Sequence, residues 1–520
     1  MHKSTRLQSF FYSCLFLVFT ATDLSAQSER PVKAMEKQYC ADLGNGTFLN
    51  PILRGNYADP SVLRDGEDYY MTHSSFSNIP GLLVWHSKDL VNWQPIGNAL
   101  FEHVGSVWAP DLVKYKDTYY IYFPSQGTNW VVTAKNPAGP WSKPTNLHVG
   151  EIDPGHIATP DGKRYLHLSG GHVVSLSEDG LKVTSPLTKV YEGWKFPKDW
   201  IVECFCLESP KLTYRNGYYY LTVAQGGTAG PPTSHMVVSA RSKSPTGPWE
   251  NSPYNPVVRN TDRTNKWVSI GHGTLVDSPD GKGWIVFHGF ERANRTIGRQ
   301  TLLLPIAWTA DGWYKVPEGA DLAKPMQKPK GTALAHGMKL SDDFQGNTLS
   351  QHWNIPEGKN QERFVVAKGE LTMKALGKSP ADTQPLTLMP ANNSYELTVE
   401  LTAKAGAKGG LLVYYNTGHY GGLEFDNQTV YRVSGGGSRG ESVKINADKV
   451  WLRLVNDHHD LLYYYSRDGK QWERIDFVSE LSGYQSNALE GWGYLRPGIY
   501  STGTGEVSFR NFQYQGLDER

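Results

Sequence analysis

The chain is short of three things, and each shortage excludes something. Charge of one sign is missing: 52 Lys and Arg stand against 51 Asp and Glu, and 20% of the 520 residues are charged. Binding to nucleic acid or acidic lipid by net charge alone is therefore excluded. Cysteine is scarce, at 4 residues, and Cys14 falls within an N-terminal apolar stretch. The other three are an odd number. Cys204 and Cys206 are two apart, where strand geometry holds side chains too far apart for easy bridging, so no disulfide scaffold is expected. Without a nearby His cluster the pair is a poor zinc site, and buried apolar cysteines are the expectation. Long apolar runs are missing too, apart from Phe10 to Ala21, which is too short to span a bilayer.

That run follows His2, Lys3 and Arg6 and precedes the small residues Ser25 and Ala26. This is the layout of a secretory signal peptide over residues 1–26, with 27–47 as an N-terminal extension. The expectation is a chain exported to the periplasm or outside the cell, with no membrane span once mature.

Turn formers and flat side chains are abundant: 53 Gly, 31 Pro, 18 Phe, 16 Trp and 29 Tyr. Together they point to an all-β protein. Five times the chain repeats a polar or Pro-containing opener, an apolar strand, a tight turn and an aromatic strand. The openers are at Asp59-Pro60, Ala109-Pro110, Ile157, Glu208-Ser209-Pro210 and Gly271-His272-Gly273. Turns Asp65-Gly66, Asp161-Gly162, Asn216-Gly217 and Asp280-Gly281 are strong hairpin signals, because both residue types tolerate positive φ. The second-strand aromatics Tyr70, Tyr120, Tyr165, Tyr219 and Trp284 step by 50, 45, 54 and 65 residues, near the period of a four-stranded propeller blade. A second hairpin recurs between copies, as at Val84–Trp93. These features predict a five-bladed β-propeller over 48–320. A Lys-, Pro-, Gly- and Ala-rich linker follows at 321–339. From 340 to 520, strict alternation at Tyr395–Thr402 and the run Leu461–Trp472 around Asp468-Gly469 predict a jelly-roll-like β-sandwich as an accessory domain.

A propeller brings the openers of its inner strands to one axial mouth. Asp59, Asp153 and Glu208 sit in three different repeats and would converge there. Carboxylates on opposite sides of a sugar are what glycosidic cleavage needs: one protonates the departing oxygen and another activates water. Taken singly, each acid is better read as a turn initiator at a strand start, and only the trio points to catalysis. Asp111 is the competing acid, and its place one turn inside the second repeat suits a structural role better.

The ordered motifs Tyr57-Ala58-Asp59-Pro60, Trp108-Ala109-Pro110-Asp111, Ile152-Asp153-Pro154, Glu208-Ser209-Pro210, Gly271-His272-Gly273 and Gly298-Arg299-Gln300 closely resemble those of glycoside hydrolase family 43. The C-terminal part resembles the concanavalin-like sandwich of that family's β-xylosidase branch. The resemblance implies an inverting exo-glycosidase acting on β-D-xylosides or α-L-arabinofuranosides of plant cell-wall polysaccharide or its oligosaccharides. It implies Asp59 as general base, Glu208 as general acid, and Asp153 as the group that orients the acid and raises its pKa. Arg299 would hold sugar hydroxyls, and Trp108 and Phe76 would wall the sugar. His272 matches an axial histidine that in several members touches calcium or its water. His288, His86 and His156 are left structural or unassigned. Two other classes remain open on the residues alone: a carbohydrate-binding propeller without catalysis, and an endo-acting arabinanase.

Overall fold

The computed structural model describes residues 34–489 and 491–517. The expected signal segment and the extension up to residue 33 lie outside the described residues. Among the described residues, no helix is long and apolar enough to cross a membrane.

Each repeat forms one antiparallel sheet built from a contiguous stretch of chain. The first strands of the five sheets are Ser61–Asp65, Asp111–Tyr115, Gly155–Ala158, Glu208–Arg215 and Trp267–Asp277. Each touches the next and the fifth touches the first, which closes a ring of inner strands with the β-propeller arrangement. The hairpins form as their turn chemistry dictates. Arg215 pairs with Tyr218 across Asn216-Gly217, and both turn residues have positive φ, 51° and 75°. Apolar side chains fill the spaces between neighbouring sheets; Leu82, Val84, Ile121 and Val132 join the first two. Inner strands approach so closely that a Cβ on Gly155 would lie 1.5 Å from the carbonyl oxygen of Pro210, so only glycine fits after Asp153-Pro154.

The ring closes between its first and fifth sheets through backbone-directed contacts. Asn50 donates from Nδ2 to Leu303 O (2.9 Å) and accepts from Leu303 N at Oδ1 (2.8 Å). Ile52 N donates to Thr301 O at 2.9 Å.

The C-terminal domain is a sandwich of a seven-stranded and a six-stranded antiparallel sheet. Tyr395–Ala403 alternates strictly between buried and half-buried residues, as its sequence pattern requires. The sandwich core is continuous with the first sheet of the propeller: Trp85 and Trp93 belong to the same apolar cluster as Phe344, Trp353 and Leu397. The connecting segment is packed onto the propeller. Met326–Gln327 pairs with Thr47–Phe48, and Lys328 Nζ forms ion pairs with Asp42 and Asp89.

One expectation is corrected. Cys204 and Cys206 form a disulfide, with Cα atoms 5.3 Å apart, inside the range a bridge requires. The strand spacing assumed from sequence does not apply, because residues 201–207 form no strand and Cys206 turns back with φ 36°. Cys40 is buried as expected.

Candidate active site

The site forms where the inner strands begin. Asp59, Asp153, Ser209 and His272 adopt φ of 58°, 57°, 53° and 64°. A left-handed backbone at a residue with a Cβ costs about 1–3 kcal/mol and clusters where function demands an orientation. Here it directs the side chains of four repeat openers towards one axis.

Asp59 is buried at the centre of a polar shell. Its Oδ1 lies 2.8 Å from Arg299 Nη1, 3.1 Å from His288 Nδ1 and 3.3 Å from His272 Nδ1, and Ser74 Oγ donates to Oδ2 at 2.5 Å. Burial alone would raise its pKa, but the Arg299 guanidinium holds it well below the usual carboxylate range. The Asp59 amide donates to His288 Nδ1 at 3.0 Å. That nitrogen therefore carries no proton, and His288 is protonated on Nε2, 3.3 Å from Thr228 Oγ1. Burial pushes both His272 (to about 3) and His288 below the ordinary imidazole value, which keeps them neutral. A third buried ring, His235, stacks on His288 at 5.3 Å and covers Gly271, where a Cβ would meet it at 2.1 Å.

Asp153 and Glu208 are shifted the other way. Asp153 is buried, its Oδ2 accepts from Ser209 N at 3.2 Å, and its pKa is raised far above normal by burial and by the charges of Glu208 and Asp59. Glu208 is half-buried and raised to about 7 by burial, Asp59 and Glu203, with Arg299 opposing. The His272 ring spans the gap between the acids, its Nε2 4.0 Å from Asp153 Oδ2. Among the described residues, His272 Nε2 and Ser209 Oγ are buried without a hydrogen-bond partner. Buried polar atoms of this kind call for a ligand or water to satisfy them.

Asp111 has the structural role expected of it. It pairs with buried Lys211 at 3.0 Å, and Lys211 also donates to the carbonyls of Pro110 (2.7 Å) and Pro154 (2.9 Å), tying the second, third and fourth sheets together. His156 is structural as well, accepting from Arg164 Nε at 3.0 Å.

Phe76 and Trp108 lie beside one another, because Phe76 exchanges backbone hydrogen bonds with Val107 at 2.8 and 3.0 Å. Trp108 is 39% exposed, so it is not blade core. The sequence reading missed Trp492, whose ring lies under the Arg299 guanidinium at 4.8 Å. It sits on a sandwich loop pinned to the propeller: Arg295 Nη1 donates to Asn487 Oδ1 (2.6 Å), Asn487 Nδ2 to Ala229 O (2.7 Å) and Leu495 N to Thr296 O (2.8 Å). The sequence reading also missed Ser74 and left His288 unassigned. Their only signal was proximity in the chain to motif residues.

The calcium expectation can be tested against the donors. Asp59, His272 and His288 offer three ligand atoms within 4.8 Å of one another. Calcium takes about six to eight oxygens. This set supplies one carboxylate, already held by Arg299, and two imidazoles. These residues alone do not form a calcium cage, and the roles of the axial acids stand without the ion.

The chain is similar to known proteins over both of its domains. Residues 48–314 match the model described as glycosyl hydrolases family 43, and residues 341–515 match the β-xylosidase C-terminal concanavalin A-like domain. A non-reducing end α-L-arabinofuranosidase of Bacteroides ovatus is 36% identical over 339 residues, covering 60% of this chain and 62% of that protein. A xylan 1,3-β-xylosidase of a Vibrio species is 29% identical over 499 residues, covering 82% of this chain and 90% of that protein. The crystal structure of the family 43 protein BlXynB from Bacillus licheniformis superposes with a TM-score of 0.82 at 27% identity, covering 91% of this chain and 100% of that one.

Proposed function

Because the chain belongs to glycosyl hydrolase family 43, we propose that its axial acids hydrolyse the glycosidic bond of a terminal β-D-xylosyl or α-L-arabinofuranosyl unit with inversion at the anomeric carbon. The observation that carries this reading is the opposite displacement of two carboxyls in one site. Asp59 is held ionised and Glu208 is raised to about 7. Environments that push two carboxyls apart in this way assign the base and the acid.

In this mechanism Glu208 donates its proton to the departing glycosidic oxygen as the bond to the anomeric carbon breaks. A water on the opposite face forms the new carbon–oxygen bond and gives its proton to Asp59. Ser74 and Arg299 fix the base, each through one oxygen of the carboxylate. Asp153 sits against the acid's own strand through Ser209 N, while burial and the charge of Asp59 favour the protonated form of Glu208. Trp492 and its loop narrow the mouth from the sandwich side, which suits release of single terminal units. The relatives named above carry both sugar specificities, so both belong to the proposal.

Export to the periplasm or beyond is part of the same reading. It rests on the charged, apolar and small-residue order of residues 1–26 and on the Cys204–Cys206 bond, since disulfides persist in oxidising compartments.

The test is hydrolysis of nitrophenyl β-D-xyloside and α-L-arabinofuranoside, with the first-released anomer followed by proton NMR. Xylose appearing as α, or arabinose as β, is expected. Retention of configuration would overturn the roles of Asp59 and Glu208, and absence of turnover on both would overturn the activity. Asp59→Asn should abolish turnover while sparing sugar binding, read by calorimetry.

A further inference from the structure

From the last strand of the third sheet, Thr188–Lys189, the chain runs inward to Glu208 through residues 190–207 without regular structure. The segment is rich in aromatics. Trp194 and Trp200 meet at 5.9 Å, and Phe196 and Phe205 stack at 5.8 Å with planes 27° apart. Trp194, Phe196 and Trp200 pack against Leu221, Val223, Met236 and Val238 of the fourth sheet. The outer member, Phe205, remains 43% exposed, and Ile201 is 59% exposed.

This exposed apolar face is held firmly. The Phe205 ring lies over Gly193, where a Cβ would approach it to 2.6 Å. The Cys204–Cys206 bond brackets the residue on both sides. Gly226 N donates to Phe205 O at 3.3 Å, and the Glu203 carboxylate accepts from Ala229 N (2.9 Å) and Gly230 N (2.8 Å). None of these groups transfers a proton; only the Glu203 charge reaches the site, adding to the upward shift of Glu208. A rigid, exposed aromatic on the rim of a site loses little side-chain entropy when a ligand settles on it.

Its place in the chain says which part of a substrate it meets. Phe205 is three residues before Glu208, and Glu208 is the group that protonates the departing oxygen. The segment lies on the acid's side in space as well, because its Glu203 carboxylate is near enough to act on Glu208, and the ring attached to that oxygen departs on the acid's side. We infer that Phe205 is a specificity-determining residue that stacks against the leaving-group sugar ring, with the Cys204–Cys206 disulfide fixing its position. The ligand class is the sugar unit penultimate to the one cleaved, whose C–H face is flat and apolar enough to lie on an aromatic ring. The inference rests on the hydrolase reading above.

The experiment compares two leaving groups in the full-length protein. Xylobiose carries a sugar ring into the stacking position. β-D-Xylosyl fluoride and α-L-arabinofuranosyl fluoride place a single atom there. Phe205→Ala should lower kcat/KM on xylobiose about tenfold, the usual scale for truncating an aromatic anchor, and leave both fluorides within about twofold of wild type. Phe205→Trp should restore the disaccharide rate. The Cys204→Ser/Cys206→Ser double variant should show the same split between substrates, separating positioning from a general loss of fold. Equal losses on disaccharide and fluoride, or none on either, would overturn the inference while the hydrolase reading stands. A wild-type protein inactive on disaccharide and fluorides alike would overturn the hydrolase reading, and the inference with it.

Discussion

Arg299→Gln tests the electrostatics of the site most sharply, because one guanidinium acts on both working carboxyls. Its Nη1 is 2.8 Å from Asp59 Oδ1, and both groups are buried. It lowers the pKa of Asp59 and, more weakly, that of Glu208. A cation this close lowers a carboxyl by roughly one to three pH units, at about 1.4 kcal/mol each. The base works ionised, so activity is lost as pH falls through the Asp59 pKa. The acid works protonated, so activity is lost as pH rises through the Glu208 value of about 7. Removing the positive charge raises both, and the whole bell should slide to higher pH. The acid limb should move up by roughly one to three pH units, and the alkaline limb should move less. The assay is kcat/KM for nitrophenyl glycosides from acid to alkaline pH, which reports the free enzyme. Loss of sugar contacts would lower the height of the curve without moving its limbs. A variant that is weaker at every pH with unmoved limbs, or whose limbs move in opposite directions, would refute the electrostatic account.

Three further outcomes are expected. Glu208→Gln should cost about 10²–10⁴-fold in kcat and should melt higher than wild type above pH 7. The wild-type folded state binds its Glu208 proton more tightly than the unfolded chain does. It therefore loses about 3 kcal/mol as pH rises from about 4.5 through about 7, and loses nothing below that window; calorimetry at pH 4 and pH 8 separates the two. Trp492→Ala should reduce kcat/KM about three- to tenfold while leaving urea unfolding of the sandwich unchanged, which kinetics and denaturation together would check. Lys211→Met should cost about 3–5 kcal/mol in chemical denaturation, because it strands buried Asp111 and two carbonyls.

The repeats were legible because their turns obey local rules. Asn216-Gly217 needs two residues at positive φ wherever the chain goes next, and alternation at Tyr395–Ala403 follows from having one buried face. The acids were legible as candidates because each stands at a repeat opener, but the openers said nothing about which acid would be ionised. That depends on Arg299, which comes from the fifth repeat, more than 200 residues from Asp59. Trp492 was illegible for the same reason, since an exposed tryptophan on a sandwich loop has no periodicity that points to a partner. The cysteines were misjudged because strand spacing was assumed where Cys206 adopts φ 36°. Local chemistry is written in neighbouring residues, and the electrostatics of this site are made across the fold.

The ring closes without any sheet borrowing a strand from the far end of the propeller, so the first and fifth sheets meet along a seam. Asn50 and Thr301 stitch that seam from its outer side. Asp59 stands on one lip, and Arg299, His272 and His288 stand on the other. Breathing of the seam would draw the guanidinium away from the carboxylate before any strand unpaired. Asp59 thereby becomes a gauge of closure: an open propeller carries a base that protonates more easily, and mechanical integrity and catalytic charge rise and fall together.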